Sequence, residues 1–141
     1  MATSHINRRA KYDYEFIETW TAGISLSGTE VKSIKQFGVN FLGSWCDVLP
    51  DRIIVKQLSV PEVPGAFTHK STQDRQLLLT NKEIKRINRM MDKGLSVIPV
   101  SVFTNTRGLL KMQIALAKGK KTHDKRETIK KRDLTREMVS A

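Results

Sequence analysis

A clean hydrophobic alternation occupies Leu109 to Ala117 and then ends for good. Leu110, Met112, Ile114 and Leu116 fall on one side of an extended segment, with Lys111, Gln113 and Ala115 on the other. From Lys118 to Ala141 the only sizeable apolar side chains are Ile129, Leu134, Met138 and Val139. A segment this poor in apolar surface does not offset the entropy of ordering its backbone. The core must therefore be built from residues 1–117, as one small domain, and residues 118–141 read as a basic extension that is mobile in isolation. Gly119 marks the expected break, since glycine lets a backbone leave a regular element at low steric cost.

Within those first 117 residues the periods change several times. Tyr12, Tyr14 and Phe16 alternate with Asp13 and Glu15, the pattern slips by one at Ile17, and Ala22, Ile24 and Leu26 resume it. Two tightly joined strands with a bulge near Ile17 are expected between Tyr12 and Ser27. Ser27 and Glu30 then form a capping-box pair, and Val31, Ile34 and Phe37 predict a short amphipathic helix that stops at Gly38. A hairpin follows, Ser44 to Leu49 and Ile53 to Leu58, turning at Pro50-Asp51. Val60 to Thr72 holds Pro61, Pro64 and Gly65 without periodicity and reads as a long loop. Thr80 and Glu83 cap a second helix carrying Ile84, Ile87 and Met91 on one face, with Gly94 as its stop. Strands over Leu95 to Thr104 and Leu109 to Ala117, joined through Asn105 to Gly108, complete the list. Six short strands interrupted by helices predict a mainly β fold: a small barrel of the oligonucleotide-binding type with two or three flanking helices and a basic C-terminal tail, disordered when free.

Charge points to the partner. The chain carries 25 Lys and Arg against 14 Asp and Glu, a net +11, which favours a polyanion. A membrane surface would need an amphipathic helix with a broad Trp, Phe or Leu face, and the tail offers none. No apolar run approaches a membrane span, and M-A-T-S-H-I-N-R-R-A-K lacks the apolar core of a secretory signal, so a cytoplasmic protein is expected. The lone Cys46 fits a reducing compartment and reads as a small buried hydrophobe. RNA or DNA is the leading partner because three basic runs converge on one small domain. Arg8, Arg9 and Lys11 form a flexible arm leading into Tyr12 and Tyr14, rings able to stack on bases. Lys32 and Lys35 sit on the first helix, and Lys111, Lys118, Lys120 and Lys121 run outward from the last strand.

Catalytic readings find little purchase. Asp13 and Glu15 would share a strand face near Glu18 and could hold a metal for phosphodiester cleavage, but polar residues on the solvent side of a strand explain them as well. His5, His69 and His123 have no Cys partners at zinc spacing. Gly119-Lys120 is followed by Lys121 rather than Ser or Thr, which departs from a phosphate-binding loop. No cofactor and no metal are expected.

Several stretches in order resemble one family, the SsrA-binding proteins or small protein B. They are N-R-R-A-K-Y-D-Y at Asn7 to Tyr14, A-G-I-S-L-S-G-T-E-V-K-S-I at Ala22 to Ile34, G-V-N at Gly38 to Asn40, L-L-L at Leu77 to Leu79, and A-K-G-K-K-T-H-D-K-R at Ala117 to Arg126. The resemblance implies a non-enzymatic, monomeric RNA-binding adaptor of trans-translation. Its partners would be transfer-messenger RNA, whose tRNA-like part it clamps and whose alanine charging it supports, the stalled ribosome, and indirectly the elongation factor that delivers aminoacyl-tRNA. By the same resemblance Tyr12, Glu30, Lys32, Ser33, Asn40, Leu78 and Lys111 fall in or beside the RNA-binding face. Arg75 is the one cation left before the triple leucine, where the family commonly carries a basic cluster. Gly119, Lys120, His123, Asp124, Lys125 and Arg126, with Lys121, Lys130, Lys131 and Arg132 adding charge, would lie in the small-subunit decoding centre and empty mRNA path. There the tail becomes helical, with Glu127–Lys131 and Asp133–Arg136 spaced for ion pairs. The chain departs from the family at Thr21-Ala22-Gly23, where Glu-Ala-Gly is usual. The competing reading is a generic single-stranded RNA-binding barrel or another ribosome-associated protein.

Overall fold

The computed structural model describes residues 4–62, 70–91 and 94–120. The elements are β1 (Ser4–Ile6), α1 (Arg8–Asp13), β2 (Tyr14–Ile24), α2 (Gly28–Phe37), β3 (Trp45–Val48), β4 (Ile53–Lys56), β5 (Arg75–Leu78), α3 (Asn81–Met90), β6 (Leu95–Thr104) and β7 (Leu110–Gly119). Every strand pairing is antiparallel, in the order β1-β6-β3-β4-β5-β2-β7, and a further β6–β7 pairing closes the ring. β1 lies outside that ring, on the stretch of β6 that β3 leaves uncovered: Cys46 pairs with Val97, whereas Ser4 pairs with Phe103. This is the barrel that the alternation and the resemblance imply.

Side chains of alternating residues fill it. Ala22, Ile24, Ile53, Val55, Leu77, Val97, Val102, Met112, Ile114 and Leu116 meet in one buried cluster, with Ile34 from α2 and Ile87 from α3 packed into it. Cys46 belongs to the same cluster, and burial raises the pKa of its thiol, as suits a small hydrophobe. Both capping boxes form: Ser27 Oγ accepts from Glu30 N, Thr80 Oγ1 accepts from Glu83 N, and each glutamate returns the bond to its cap's N–H. The β2–β7 register slips between Phe16 and Glu18, so Ile17 is the bulged residue.

Several boundaries differ from expectation. Tyr12 to Ser27 is one helix end followed by a single long strand, because β2 pairs with β7 from Tyr14 to Gly23 across one bulge and needs no internal turn. The basic N-terminal stretch is not a flexible arm. Asn7 N donates to Val100 O and Asn7 Nδ2 to Pro99 O, both at 2.8 Å, which anchors β1 and α1 on β6. Short β5 has no helical or alternating signal of its own and exists through its pairing with β4 and β2. α3 ends at Met90, before Gly94, where the Met91 N–H closes on Ile87 O. β7 runs two residues past Ala117, to Gly119.

A second apolar cluster sits on the outside of the barrel. Ala10 of α1 covers Ile98, Val100, Ala115 and Ala117, with Tyr14 and Phe16 packed against them. Ala115 thus faces α1 instead of solvent. Among the described residues no helix is long and apolar enough to cross a membrane.

Truncating Ile114 to Ala, which leaves a hole in the barrel centre, is expected to cost about 2–5 kcal/mol of unfolding free energy. Thr80→Ala, which frees an N-terminal N–H of α3, should cost about 1 kcal/mol. Urea titration followed by circular dichroism reads both, and equal losses would refute the assignment of Ile114 to the centre of the core.

Candidate nucleic-acid interface

The expected site residues fall into two groups on the surface and one inside. The first surface group gathers where β2 ends and β7 begins. Gly23 pairs with Leu78 on one side and Lys111 on the other. A Cβ at Gly23 would come within 3.1 Å of Leu78 Cβ and 3.6 Å of Lys111 Nζ, so glycine is the floor that lets these two side chains approach. Leu78 is 55% exposed, an apolar contact held out to solvent. Lys32 projects from the outer side of α2, and Lys35 Nζ donates to Gly108 O (3.2 Å) in the β6–β7 turn. That turn is shaped by Asn105 Oδ1, which accepts from Arg107 N and Leu109 N, each at 2.9 Å. Asn40 is exposed and lines the groove beside α1 that also holds Arg8 and Arg9, bridging backbone to backbone with Ser59 while its Oδ1 accepts from Leu42 N (3.0 Å).

The second group lies around α1. Arg8, Arg9 and Lys11 are exposed, and the Arg9 guanidinium stands 5.6 Å from the Tyr12 ring centre. Tyr12 is therefore a helical residue beside a cation and not a strand edge. Tyr14 pairs with Gly119, Glu15 with Lys118, and Lys120 is fastened by its N–H to Asp13 O (2.9 Å) and by Nζ to Lys11 O (2.7 Å). Lys118, Gly119 and Lys120 consequently belong with α1. Beside them runs an open groove of about 920 Å³ whose wall includes Arg8, Arg9, Asp13, Phe41 and Trp45. Trp45, 45% exposed, has Lys56 Nζ 5.7 Å from its ring centre. The alternation of the hairpin gave no reason to single this tryptophan out, because an indole on a strand is ordinarily core.

Glu30, Ser33 and Arg75 are the inside group, and here the expectation of RNA contact needs correcting. They are 2%, 0% and 2% exposed and cannot meet a ligand directly. Arg75 Nε donates to Glu30 Oε2, Nη1 to Leu58 O (2.7 Å) and Gln73 O (3.0 Å), and Nη2 to Lys70 O (3.3 Å) and Ser71 O (3.1 Å). Ser33 Oγ donates to Pro61 O at 2.5 Å. A lone cation in a polar stretch looks from sequence like a surface contact; its burial depends on a carboxylate 45 residues away. Burial alone would raise the Glu30 pKa. The Ser27 N–H, the Arg75 hydrogen bond and charge, and the Ser27 hydroxyl outweigh it and leave the group below its ordinary value.

Asp13 and Glu15 do not share a face, since Asp13 ends α1 and pairs with Arg9 (3.6 Å) whereas Glu15 lies on β2. Among the described residues no group of three or more His, Cys, Asp or Glu could hold a metal ion. Lys121, His123, Asp124, Lys125, Arg126, Lys130, Lys131 and Arg132 lie outside the described residues, as do the expected tail helix and residues 63–69 of the long loop.

The family model described as SmpB protein matches residues 4–141. The chain belongs to the SmpB family. Among its SmpB-family relatives, the SsrA-binding protein of Flavobacterium johnsoniae is 43% identical over 136 residues, covering 94% of this chain and 90% of the relative. That of Thermosipho africanus is 42% identical over 135 residues, with 94% and 91% covered, and that of Bacteroides thetaiotaomicron 44% over 136, with the same shares. A chain from the solved structure called "tmRNA-SmpB: a journey to the center of the bacterial ribosome" superposes with a TM-score of 0.71 at 37% identity, covering 84% of this chain and 85% of that one.

Removing either partner of the buried pair of this SmpB-family protein strands the other. Arg75→Met is expected to cost about 3–5 kcal/mol. Because folding lowers the Glu30 pKa, its stabilising share is complete above the unfolded carboxylate range and is lost as pH falls through the folded value. Chemical denaturation between pH 7 and 3 should therefore show a steeper acid loss for the native chain than for Glu30→Gln. Parallel curves would contradict the assignment.

Proposed function

We propose that this SmpB-family chain is a non-enzymatic, monomeric RNA-binding adaptor of trans-translation. It binds the tRNA-like domain of transfer-messenger RNA, supports its alanylation, and carries it to stalled ribosomes, where it works beside the elongation factor that delivers aminoacyl-tRNA in the cytoplasm. The observation that carries this reading is the match in fold and sequence to a chain solved as tmRNA-SmpB, on a protein with two exposed cationic groups. Lys32, Leu78 and Lys111 form one contact surface in this reading, and Arg8, Arg9, Lys11, Tyr12, Asn40 and Lys118 another. Lysines supply field to the phosphates, while Leu78 and Tyr12 offer apolar and stacking surface to exposed bases. Glu30, Ser33 and Arg75 act from inside by fixing α2 against β5 and the loop carbonyls.

The basic extension, expected from Lys118 and here proposed to begin beyond the Lys120 tether, takes the decoding centre and the empty mRNA path. Gly119 and Lys120 set its point of departure, and Lys121, His123, Asp124, Lys125, Arg126, Lys130, Lys131 and Arg132 make its contacts. Ribosomal RNA neutralises its positive charge and so removes the main obstacle to a helix through residues 127–136.

Affinity for the isolated tRNA-like domain should fall roughly a thousandfold or more between 50 and 200 mM salt if six or more phosphates are met. Lys111→Ala should weaken binding and lower the salt slope by about 1, without unfolding the protein. A chain ending at Lys120 should still bind this RNA and fail to rescue a stalled ribosome in a reconstituted translation assay. A flat salt response, or equal affinity for poly-U, would refute the adaptor in favour of a generic single-strand binder.

A further inference from the structure

Gly23 is a residue that the barrel itself does not ask for. It lies inside β2, paired with β5 on one side and β7 on the other. A glycine there weakens a strand relative to alanine, because it loses more backbone freedom on folding and brings no side chain to pack. Its backbone conformation is not the reason. Among the described glycines Gly38, Gly43, Gly94 and Gly108 stand at positive φ, and Gly23 does not. What sets it apart is crowding. A Cβ on Gly28 or Gly119 would meet nothing within 4 Å, whereas one on Gly23 would lie 3.1 Å from Leu78 Cβ, 3.5 Å from Leu78 Cδ1 and 3.6 Å from Lys111 Nζ.

These neighbours differ in how they can yield. Lys111 Nζ is the far end of a flexible side chain and swings aside by a change of rotamer. Leu78 Cβ is set by the backbone of β5, and no rotamer moves it. β5 is itself held, by its pairing with Ile53 to Val55 of β4, by Ser25 N donating to Gln76 O (2.9 Å), and by Arg75 on the Glu30 carboxylate. A methyl added at Gly23 therefore presses on an atom that cannot turn away. It tilts the Leu78 Cα–Cβ bond off β2, and the leucine tip, two bonds further out, moves by more than its root. Leu78 is also a side chain the core does not use, being 55% exposed where the adjacent Leu77 is 1% exposed. An outward strand position on a half-solvated sheet is ordinarily polar. The barrel thus holds an exposed leucine against a glycine that weakens its own strand.

We propose that Gly23 is a positioning residue of the RNA surface, whose bare backbone sets the direction in which Leu78 leaves the barrel. The inference rests on the adaptor reading and deepens it: Gly23 touches no RNA, and it acts through the apolar contact that Leu78 makes with a base or sugar. Lys111, free to swing, keeps its phosphate whatever stands at residue 23. Charge and shape at this surface are accordingly set by different residues.

The test uses the full-length protein and the isolated tRNA-like domain. Gly23→Ala should lower affinity roughly tenfold, as expected when one leucine tip is no longer taken out of water. The slope of log K against log salt should not change, because the phosphate contacts remain. Leu78→Ala should show a similar loss, and Gly23→Ala added to it should lower affinity no further, since no tip is left to aim. Methyl NMR of the free proteins should show the Leu78 methyl resonances displaced by Gly23→Ala and those of Ile114 and Leu116 in place. Native affinity in Gly23→Ala would overturn the proposal, as would a reduced salt slope, losses that add in the double variant, or unmoved Leu78 methyls. If Gly23→Ala does not fold, Gly23→Ala/Leu78→Gly, which removes the colliding carbon, should restore the fold, and its failure to do so would overturn the proposal as well. Failure of the unaltered protein to bind the tRNA-like domain would instead refute the adaptor reading, and the methyl spectra would still decide whether Gly23 directs Leu78.

Discussion

A guanidinium removed from water has to be met on every N–H, and Arg75 is. Its five donors find the Glu30 carboxylate and the carbonyls of Leu58, Gln73, Lys70 and Ser71. Those acceptors come from α2, from the chain leaving β4, and from the segment that enters β5. One side chain thus fastens three parts of the chain, two of which are also joined through the Val60 N–H to Ser71 O bond (2.8 Å). The desolvation of two charges makes such a pair a poor source of net stability, but a strong constraint on where its neighbours stand. Because α2 is fixed by its buried edge at Glu30, Ser33 and Ile34, its opposite side, with Lys32 and Lys35, has a defined direction.

A different constraint places the second cationic group. Ala115 and Ala117 are small, so the outer wall of β7 is flat enough for α1 to lie on it through Ala10. That contact puts Lys11 O and Asp13 O within reach of Lys120, and the extension starts from a fixed point beside Arg8, Arg9 and Tyr12. The long strand β2, bulged at Ile17, joins the two groups, since its start pairs with Gly119 and its end with Lys111.

What could be read from the sequence is what local chemistry decides. The two capping boxes, the bulge at Ile17, the hairpin turn at Pro50-Asp51 and the turn closed by Asn105 each arise within a few residues, and each formed as expected. β1, α1 and β5 were not legible because they owe their conformation to partners far along the chain. Asn7, for instance, is held by Pro99 and Val100, 92 and 93 positions on. The site divided along the same line. Lys32, Leu78 and Lys111 are exposed or partly exposed as their motifs imply, whereas nothing near Arg75 in the sequence reveals that Glu30 will meet it in the interior. Trp45 carries no sequence signal for the converse reason, an indole whose exposure only the tertiary structure decides.

The protein accordingly uses cations in two physically different ways. At Lys32, Lys111 or Lys118 the proposed polyanion would sense field, and field depends on charge and distance more than on the shape of the group, so lysine serves and arginine could replace it. At Arg75 the shape is the function. An ammonium offers three donors from one nitrogen and cannot reach a carboxylate and four carbonyls disposed around a plane, so Arg75→Lys would leave interior acceptors unmet at the same net charge. A residue that tolerates no exchange of one cation for another is recognising its own fold. One that tolerates it is addressing solvent or a partner, and the exposed lysines of α2, α3 and β7 are of that second kind.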